Sequence, residues 1–376
     1  MLYKFSVEGF KGFSKKVELN LQHRKNYEFN IECIRDGVIN KSVVYGKNGC
    51  GKSNLGIAIF DIVSHLTEFS VNKNLYRGYL NAENDAKNAI FEYDFKFKED
   101  HVKYKYSKKN IDTLIFEELF INDSLVLSYN RETDDFACFA IPGTETLNSD
   151  LRGSSISIIN YIKTNAILKD SKEKEIFESF ITFVNKMLYF RSLDSNNFMG
   201  LECGNSKITP DIIKRENVGD FEKFLNEAGV ECKLAIIQQI SSEGEEPSQE
   251  IAFDFGDRKI PFFSIASTGT KSLALFYYWL QRFSYDEKTS FVFVDEFDAF
   301  YHHSLSLLIV KKMKEANAQV MLTTHNTNIM SNDLLRPDCY FILEKNNITP
   351  IYELTDKELR EAHNIEKMYK SGAFNV

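Results

Sequence analysis

Gly46-Lys47-Asn48-Gly49-Cys50-Gly51-Lys52-Ser53 decides how this chain reads. The stretch fits G-x-x-x-x-G-K-[ST], a loop whose backbone N–H groups cradle phosphate oxygens. Before it, Lys41-Ser42-Val43-Val44-Tyr45 is β-branched and aromatic and predicts a strand; after it, residues 54–63 place apolar side chains at helical spacing. Strand, glycine turn and helix are the setting the motif needs. Glycine lets the backbone fold into a nest of N–H donors, and the start of the helix adds positive partial charge. Gly46, Lys47, Asn48, Gly49, Cys50, Gly51, Lys52, Ser53 and Asn54 are therefore expected to hold the phosphates of a nucleotide. Lys52 would reach the β- and γ-phosphates, and the Ser53 hydroxyl would ligate Mg²⁺.

A second half-site lies far downstream. Phe291-Val292-Phe293-Val294-Asp295-Glu296 is an apolar run, suited to a buried parallel strand, that ends in two carboxylates. Such a strand end is where α/β sheets bind ligands. Asp295 is expected to hold Mg²⁺, usually through water, and Glu296 to act as the base that polarises the attacking water. Residues 318–326 read as another strand running into the polar turn that carries His325. Asp298 and the pair His302-His303 follow the acidic motif; adjacent histidines on a helix do not face one metal site.

Between the two half-sites, Ser267-Thr268-Gly269-Thr270-Lys271 opens the helical stretch 273–283. The plain reading of Ser267 is a helix N-cap. The segment also resembles the signature motif of ABC-type ATPases. That resemblance implies that Ser267 and Gly269 clamp the γ-phosphate of ATP held by the P-loop of a partner subunit, and that His325 is the switch histidine. Glu296, His325 and Lys52 would then be the catalytic set. The opening Val7–Phe13, the β-rich region around Tyr104-Lys105-Tyr106, the path from Thr323-Thr324-His325-Asn326 to Asp338-Cys339-Tyr340-Phe341, and the tail 364–374 together narrow the likeness. They resemble the compact SMC- and RecF-related ATPases of bacterial defence and abortive-infection systems (RloA-like, AbiL-like, and the ATPase half of OLD proteins).

The resemblance implies an α/β P-loop NTPase of ABC-ATPase type: a mostly parallel sheet flanked by helices, an antiparallel β-region and a mixed α/β insertion. The sequence pattern changes between about Leu66 and Gly229, so residues 1–65 and 230–376 would form the ATPase core and 66–229 an inserted β-region and helical lid lobe. The resemblance further implies ATP and Mg²⁺ as ligands, a head-to-tail homodimer with ATP at the shared interface, and a separate effector such as a nuclease or toxin. The alternative is a RecF- or SMC-like ATPase that binds DNA structures or acts in repair. Two departures stand out: Ala266-Ser267 replaces the usual leucine-serine form, and no Q-loop glutamine is evident, Glu118 being only a positional candidate. The chain ends without the Toprim nuclease domain of OLD proteins, so an effector is expected on another polypeptide.

Composition sets the outer bounds. The chain has 376 residues, 43% hydrophobic and 27% charged, with a net charge of −8. That reads as globular and speaks against a dedicated nucleic-acid coat, while leaving room for a local basic groove. The cysteines form no C-x-x-C pair, which argues against zinc and for reduced thiols in a cytoplasmic protein. Cys50, near a helix start, reads either as a small loop residue or as a thiol of lowered pKa. No apolar run is long enough to span a membrane. Alternation predicts strands at 17–21, 27–33, 89–97, 102–106, 115–120 and 125–129, returning strands at 232–240 and 250–255, and an acidic loop at 241–247. Helices are expected over 157–168, 173–188 and 210–228, with no heptads for a long coiled-coil arm. Lys11 or a neighbouring aromatic is expected, from the resemblance, to face the nucleotide.

Overall fold

The computed structural model describes residues 1–69, 71–191, 197–200, 208–239, 248–285, 289–299 and 303–374. The sheet that carries the site runs, edge to edge, Asn197–Gly200, Met187–Arg191, Phe291–Asp295, Gln319–Thr324, Lys41–Tyr45, Tyr340–Glu344 and Asn347–Pro350. The five inner strands are parallel and only the two edges are antiparallel. Lys41–Tyr45, Phe291–Asp295 and Gln319–Thr324 are buried along their whole length. That is why their burial does not alternate, and why residues 291–294 read as an unbroken apolar run. Pairing of Thr324 with Tyr45, and of Val294 with Leu322, sets the carboxyl ends of three strands side by side. The crevice beyond those ends is where the phosphate loop sits.

Helix Lys52–Ile59 leaves that loop and packs on the sheet at Gly56. A Cβ there would come within 2.6 Å of the Phe293 ring and 2.9 Å of Tyr189, so only glycine permits this approach.

The second sheet is antiparallel. Its order is Cys138–Phe139, Ser124–Asn130, Thr113–Ile121, Asp100–Asn110, Ala89–Phe97, Leu2–Glu8, Val17–Asn20. Burial alternates along Ala89–Phe97, the period-2 pattern of a sheet with one covered face. The topology departs from a self-contained insertion over 66–229. Ala89–Phe97 pairs directly with Leu2–Glu8, with Phe5 opposite Tyr93, while Met187–Arg191 joins the parallel sheet beside Phe291–Asp295. Alternation announces a half-buried strand but not its neighbour, so the sequence pattern is the same either way.

Two element predictions also give way. In 27–33, Asn30 takes φ 47° and Ile31–Cys33 is a 3₁₀ turn, because a left-handed residue breaks an extended run. The helix expected over 173–188 is Lys172–Asn185, N-capped by Ser171, whose side chain accepts from the Lys174 N–H. It stops before Met187–Arg191, where aromatic residues favour the buried strand. The returning strands Leu234–Gln239 and Ser248–Asp254 pair antiparallel, with Lys259–Pro261 as a third. Cys203, the acidic loop 241–247, His302 and the side chain of His303 lie outside the described residues. Among the described residues, no helix is long and apolar enough to cross a membrane.

A buried polar cluster fastens the helical end of the first βα unit to the antiparallel sheet. Asp61 pairs with Lys108 at 2.8 Å, both side chains fully buried, and accepts from the hydroxyls of Tyr79 at 2.8 Å and Tyr106 at 3.0 Å. Tyr93 donates to the Ala58 carbonyl at 2.9 Å. Beside it, Tyr104 donates to Glu117 at 3.0 Å, and Arg131 pairs with the other Glu117 oxygen at 2.7 Å. A buried carboxylate left without such partners would cost several kcal/mol.

Candidate nucleotide-binding site

The loop geometry requires its glycines. A Cβ on Gly46 would stand 2.4 Å from the Cys50 sulfur and 2.6 Å from the Leu343 carbonyl oxygen. Gly51 has φ 108°, and the ring of Phe13 would lie 3.2 Å from a Cβ there. Phe13, not Lys11, is thus the opening-segment side chain laid on the loop; Lys11 turns away to donate to the Arg77 carbonyl at 2.8 Å.

Lys52 begins the helix and its side chain is buried. Its ammonium donates to the Gly46 carbonyl at 3.0 Å and to His325 Nε2 at 2.7 Å. Burial lowers the Lys52 pKa from its ordinary value, opposed by Cys50 and by the carboxylates of Glu296 and Asp295. Cys50 goes the opposite way from the thiolate expectation: burial raises its pKa, more than Lys52 and the local N–H groups lower it.

Asp295 closes its strand and is buried. One of its oxygens accepts from the Thr323 hydroxyl at 2.8 Å, and the same hydroxyl accepts the Glu296 N–H at 2.8 Å. Glu296 has φ 48°, and its carboxylate lies 3.6 Å from His325 Nε2. Thr324 donates to Asp298 at 2.7 Å and accepts the Asn326 N–H at 2.8 Å, fixing the turn that carries His325. Lys52, His325, Glu296 and Asp295, far apart in sequence, therefore meet at one crevice. Thr323 and Thr324 belong to a stretch that carries the family resemblance, but their part in holding Asp295, Glu296 and the His325 turn was not legible from it.

A cavity of about 870 Å³ opens beside the loop. Its wall includes Gly46 to Gly51, Asn54 and Gly12, and then Ile342 to Lys345, Tyr369, Lys370 and Gly372. Glycines that leave room for an anion, a buried lysine and an acidic strand end fit a nucleotide triphosphate. The Ser53 hydroxyl and the Asp295 carboxylate offer the oxygen donors that Mg²⁺ prefers.

Ser267 and Gly269 are not part of that wall. Ser267 is exposed and N-caps helix Thr268–Tyr285, accepting the Thr270 N–H at 3.1 Å. It borders a second cavity of about 470 Å³ with Cys232, Phe253, Phe255 and Ile265. Glu118 lies in the antiparallel sheet, opposite Lys105 and Ser128, and has no place in either cavity wall.

A phosphate loop between a parallel strand and a helix, faced by the carboxylates that close a nearby parallel strand, defines a P-loop nucleotide-binding domain. Residues 41–331 match the family described as AAA domain, putative AbiEii toxin, Type IV TA system, and the chain belongs to that family. No curated protein matches the chain. Similar solved structures include an Smc head bound to the C-winged helix domain of ScpA, with TM-score 0.49 and 16% identity over 93% of this chain and 97% of that one. The SMC head domain from Thermotoga maritima is similar with TM-score 0.42 and 14% identity, over 93% of this chain and 98% of that one. The recombination mediator protein RecF with ATP gives TM-score 0.42 and 14% identity, over 93% of this chain and 98% of that one.

Proposed function

We propose that this protein is an ATP-hydrolysing switch that closes as a head-to-tail homodimer around two nucleotides and regulates a separate effector in a defence or abortive-infection system. The observation that carries the reading is the separation of two anion-seeking elements. The glycine loop 46–51, on whose Gly46 carbonyl Lys52 rests, lines one cavity, while the exposed Ser267 turn at a helix start borders another. A second copy of the chain would bring its Ser267 turn to the nucleotide that the first holds. Dimerisation and nucleotide binding would then be linked, each favouring the other.

Within one site, the loop N–H groups and Lys52 bind and orient the phosphates. Mg²⁺, held by Ser53 and Asp295, would neutralise phosphate charge. Glu296 takes the proton from the attacking water, and His325 hydrogen-bonds the γ-phosphate as charge builds on it. Thr323 holds Asp295 and the Glu296 backbone in one register. The family description, with its toxin–antitoxin system, supports placing such a switch in defence.

The test is complementation between two dead variants. Lys52→Ala should lose nucleotide binding, and Ser267→Arg should lose hydrolysis yet still bind nucleotide as a monomer. An equal mixture should regain activity, because each mixed dimer rebuilds one intact site. If mixed dimers form and phosphate release stays at the level of the separate variants, the shared-site reading is wrong.

A further inference from the structure

The phosphate loop accounts for only part of the wall around the cavity beside it. At about 870 Å³, the cavity is large enough for a whole nucleotide rather than a bare triphosphate. Most of the remaining wall comes from Ile342 to Lys345 and from the last helix, Ile365–Lys370, which contributes Tyr369 and Lys370, with Gly12, Glu83 and Gly372 completing it. Sequence patterning alone assigns this tail no chemical role.

That helix is too short to persist by its own hydrogen bonds. It is held by anchors at both ends. Ile365 is fully buried, and Asn364 caps the helix by accepting the Lys367 N–H at 2.8 Å. At the other end Phe374 is buried, with its ring 6.5 Å from that of Tyr369. Glu366 ties the helix to the turn beyond His325, accepting from the Thr327 hydroxyl at 3.4 Å and from Lys370 at 2.6 Å. Tyr369 itself stays half-buried, with part of its surface on the cavity.

We propose that Tyr369 is the base-stacking residue of the site, and that helix Ile365–Lys370 forms the wall against which the nucleobase lies while the phosphates occupy the loop. The inference rests on the nucleotide reading above. An aromatic face is the surface a flat heterocycle prefers, and stacking of this kind is worth about tenfold in affinity or more. The Thr327–Glu366 contact gives the arrangement a consequence: base occupancy and the position of the His325 turn are mechanically joined.

The experiment compares two ligands on the full-length chain. Binding of Mg-ATP and of magnesium tripolyphosphate, which has no base, is measured for the wild type, Tyr369→Ala and Tyr369→Phe. The expected result is a loss of about tenfold in ATP affinity for Tyr369→Ala, tripolyphosphate affinity unchanged, and recovery to within about twofold of wild type in Tyr369→Phe. Unchanged ATP affinity in Tyr369→Ala overturns the proposal, as does an equal loss for both ligands, which marks a merely structural role. A wild type that binds neither ligand overturns the nucleotide reading itself, a separate failure.

Discussion

The ammonium of Lys52 lies 2.7 Å from Nε2 of His325, so the phosphate-loop lysine and the histidine beyond the acidic motif are hydrogen-bonded to each other. Lys52 also caps the Gly46 carbonyl at 3.0 Å. An incoming triphosphate offers Lys52 stronger, charged acceptors, and accepting them releases His325 toward the γ-phosphate. The two residues should therefore fail differently. Lys52→Ala is expected to lose nucleotide affinity about a hundredfold or more. His325→Ala should bind within a few-fold of wild type while hydrolysis falls by about two to three orders of magnitude, the usual cost of a lost transition-state donor. Titration with a fluorescent nucleotide and steady-state phosphate release separate the two outcomes.

Glu296 sits at φ 48°, a left-handed conformation that a side chain with a Cβ adopts at a cost of about 1 kcal/mol. The Thr323 hydroxyl holds it there through the Glu296 N–H. Glu296→Gly should raise the unfolding free energy by about that amount and abolish hydrolysis. Glu296→Gln should keep ATP bound and accumulate the closed dimer. Urea melts of the glycine variant, and size-exclusion chromatography of the glutamine variant with Mg-ATP, check the pair of outcomes. A glycine variant less stable than wild type would mean that Glu296 contributes more to packing than its strain costs.

The Asp61–Lys108 pair lies between the P-loop unit and the antiparallel sheet, with neither side chain exposed. Lys108→Met strands the Asp61 charge with only the Tyr79 and Tyr106 hydroxyls to solvate it. The expected loss is about 3–5 kcal/mol of unfolding free energy. Asp61→Asn combined with Lys108→Met should cost clearly less than the sum of the single variants, because no charge is then left alone. Urea denaturation of the four proteins gives the coupling directly.

What the sequence made legible follows from how each feature is encoded. The stretch 46–53 and the run 291–296 were readable because the chemistry dictates residue type at fixed spacing: glycine where a Cβ would strike Cys50 or Phe13, and carboxylates where a buried strand ends. The parallel strand Phe291–Asp295 was readable from its unbroken apolar run, whereas the start of Met187–Arg191 reads as the end of a helix. Tyr369 and Thr323 were not readable as site neighbours, since topology alone brings them there. The membership of Ala89–Phe97 in the N-terminal sheet was equally silent, because alternation does not name a partner strand. At 27–33 the alternating pattern was outweighed by one asparagine in a left-handed turn.

Lys41 opens the P-loop strand with its side chain buried, donating to the carbonyls of Ala316 at 2.7 Å and Ala318 at 2.6 Å. Burial, reinforced by Arg35 and opposed by Cys33, lowers its pKa from 10.5 to about 7. Below about 7 the folded and unfolded chains both carry the proton, and the full cost of burying the charge is present. Between about 7 and 10.5 the unfolded chain keeps a proton that the folded chain has released, so raising the pH stabilises the fold. Above 10.5 both forms are neutral and the gain is complete. Its ceiling is about 5 kcal/mol, and the two carbonyl acceptors, which favour the charged form, reduce it. Urea melts at about pH 7 and about pH 9.5 should therefore show wild type gaining stability with pH relative to Lys41→Met, in which this proton is missing. Parallel profiles for the two proteins would mean that Lys41 keeps its charge across the window, solvated by the two carbonyls.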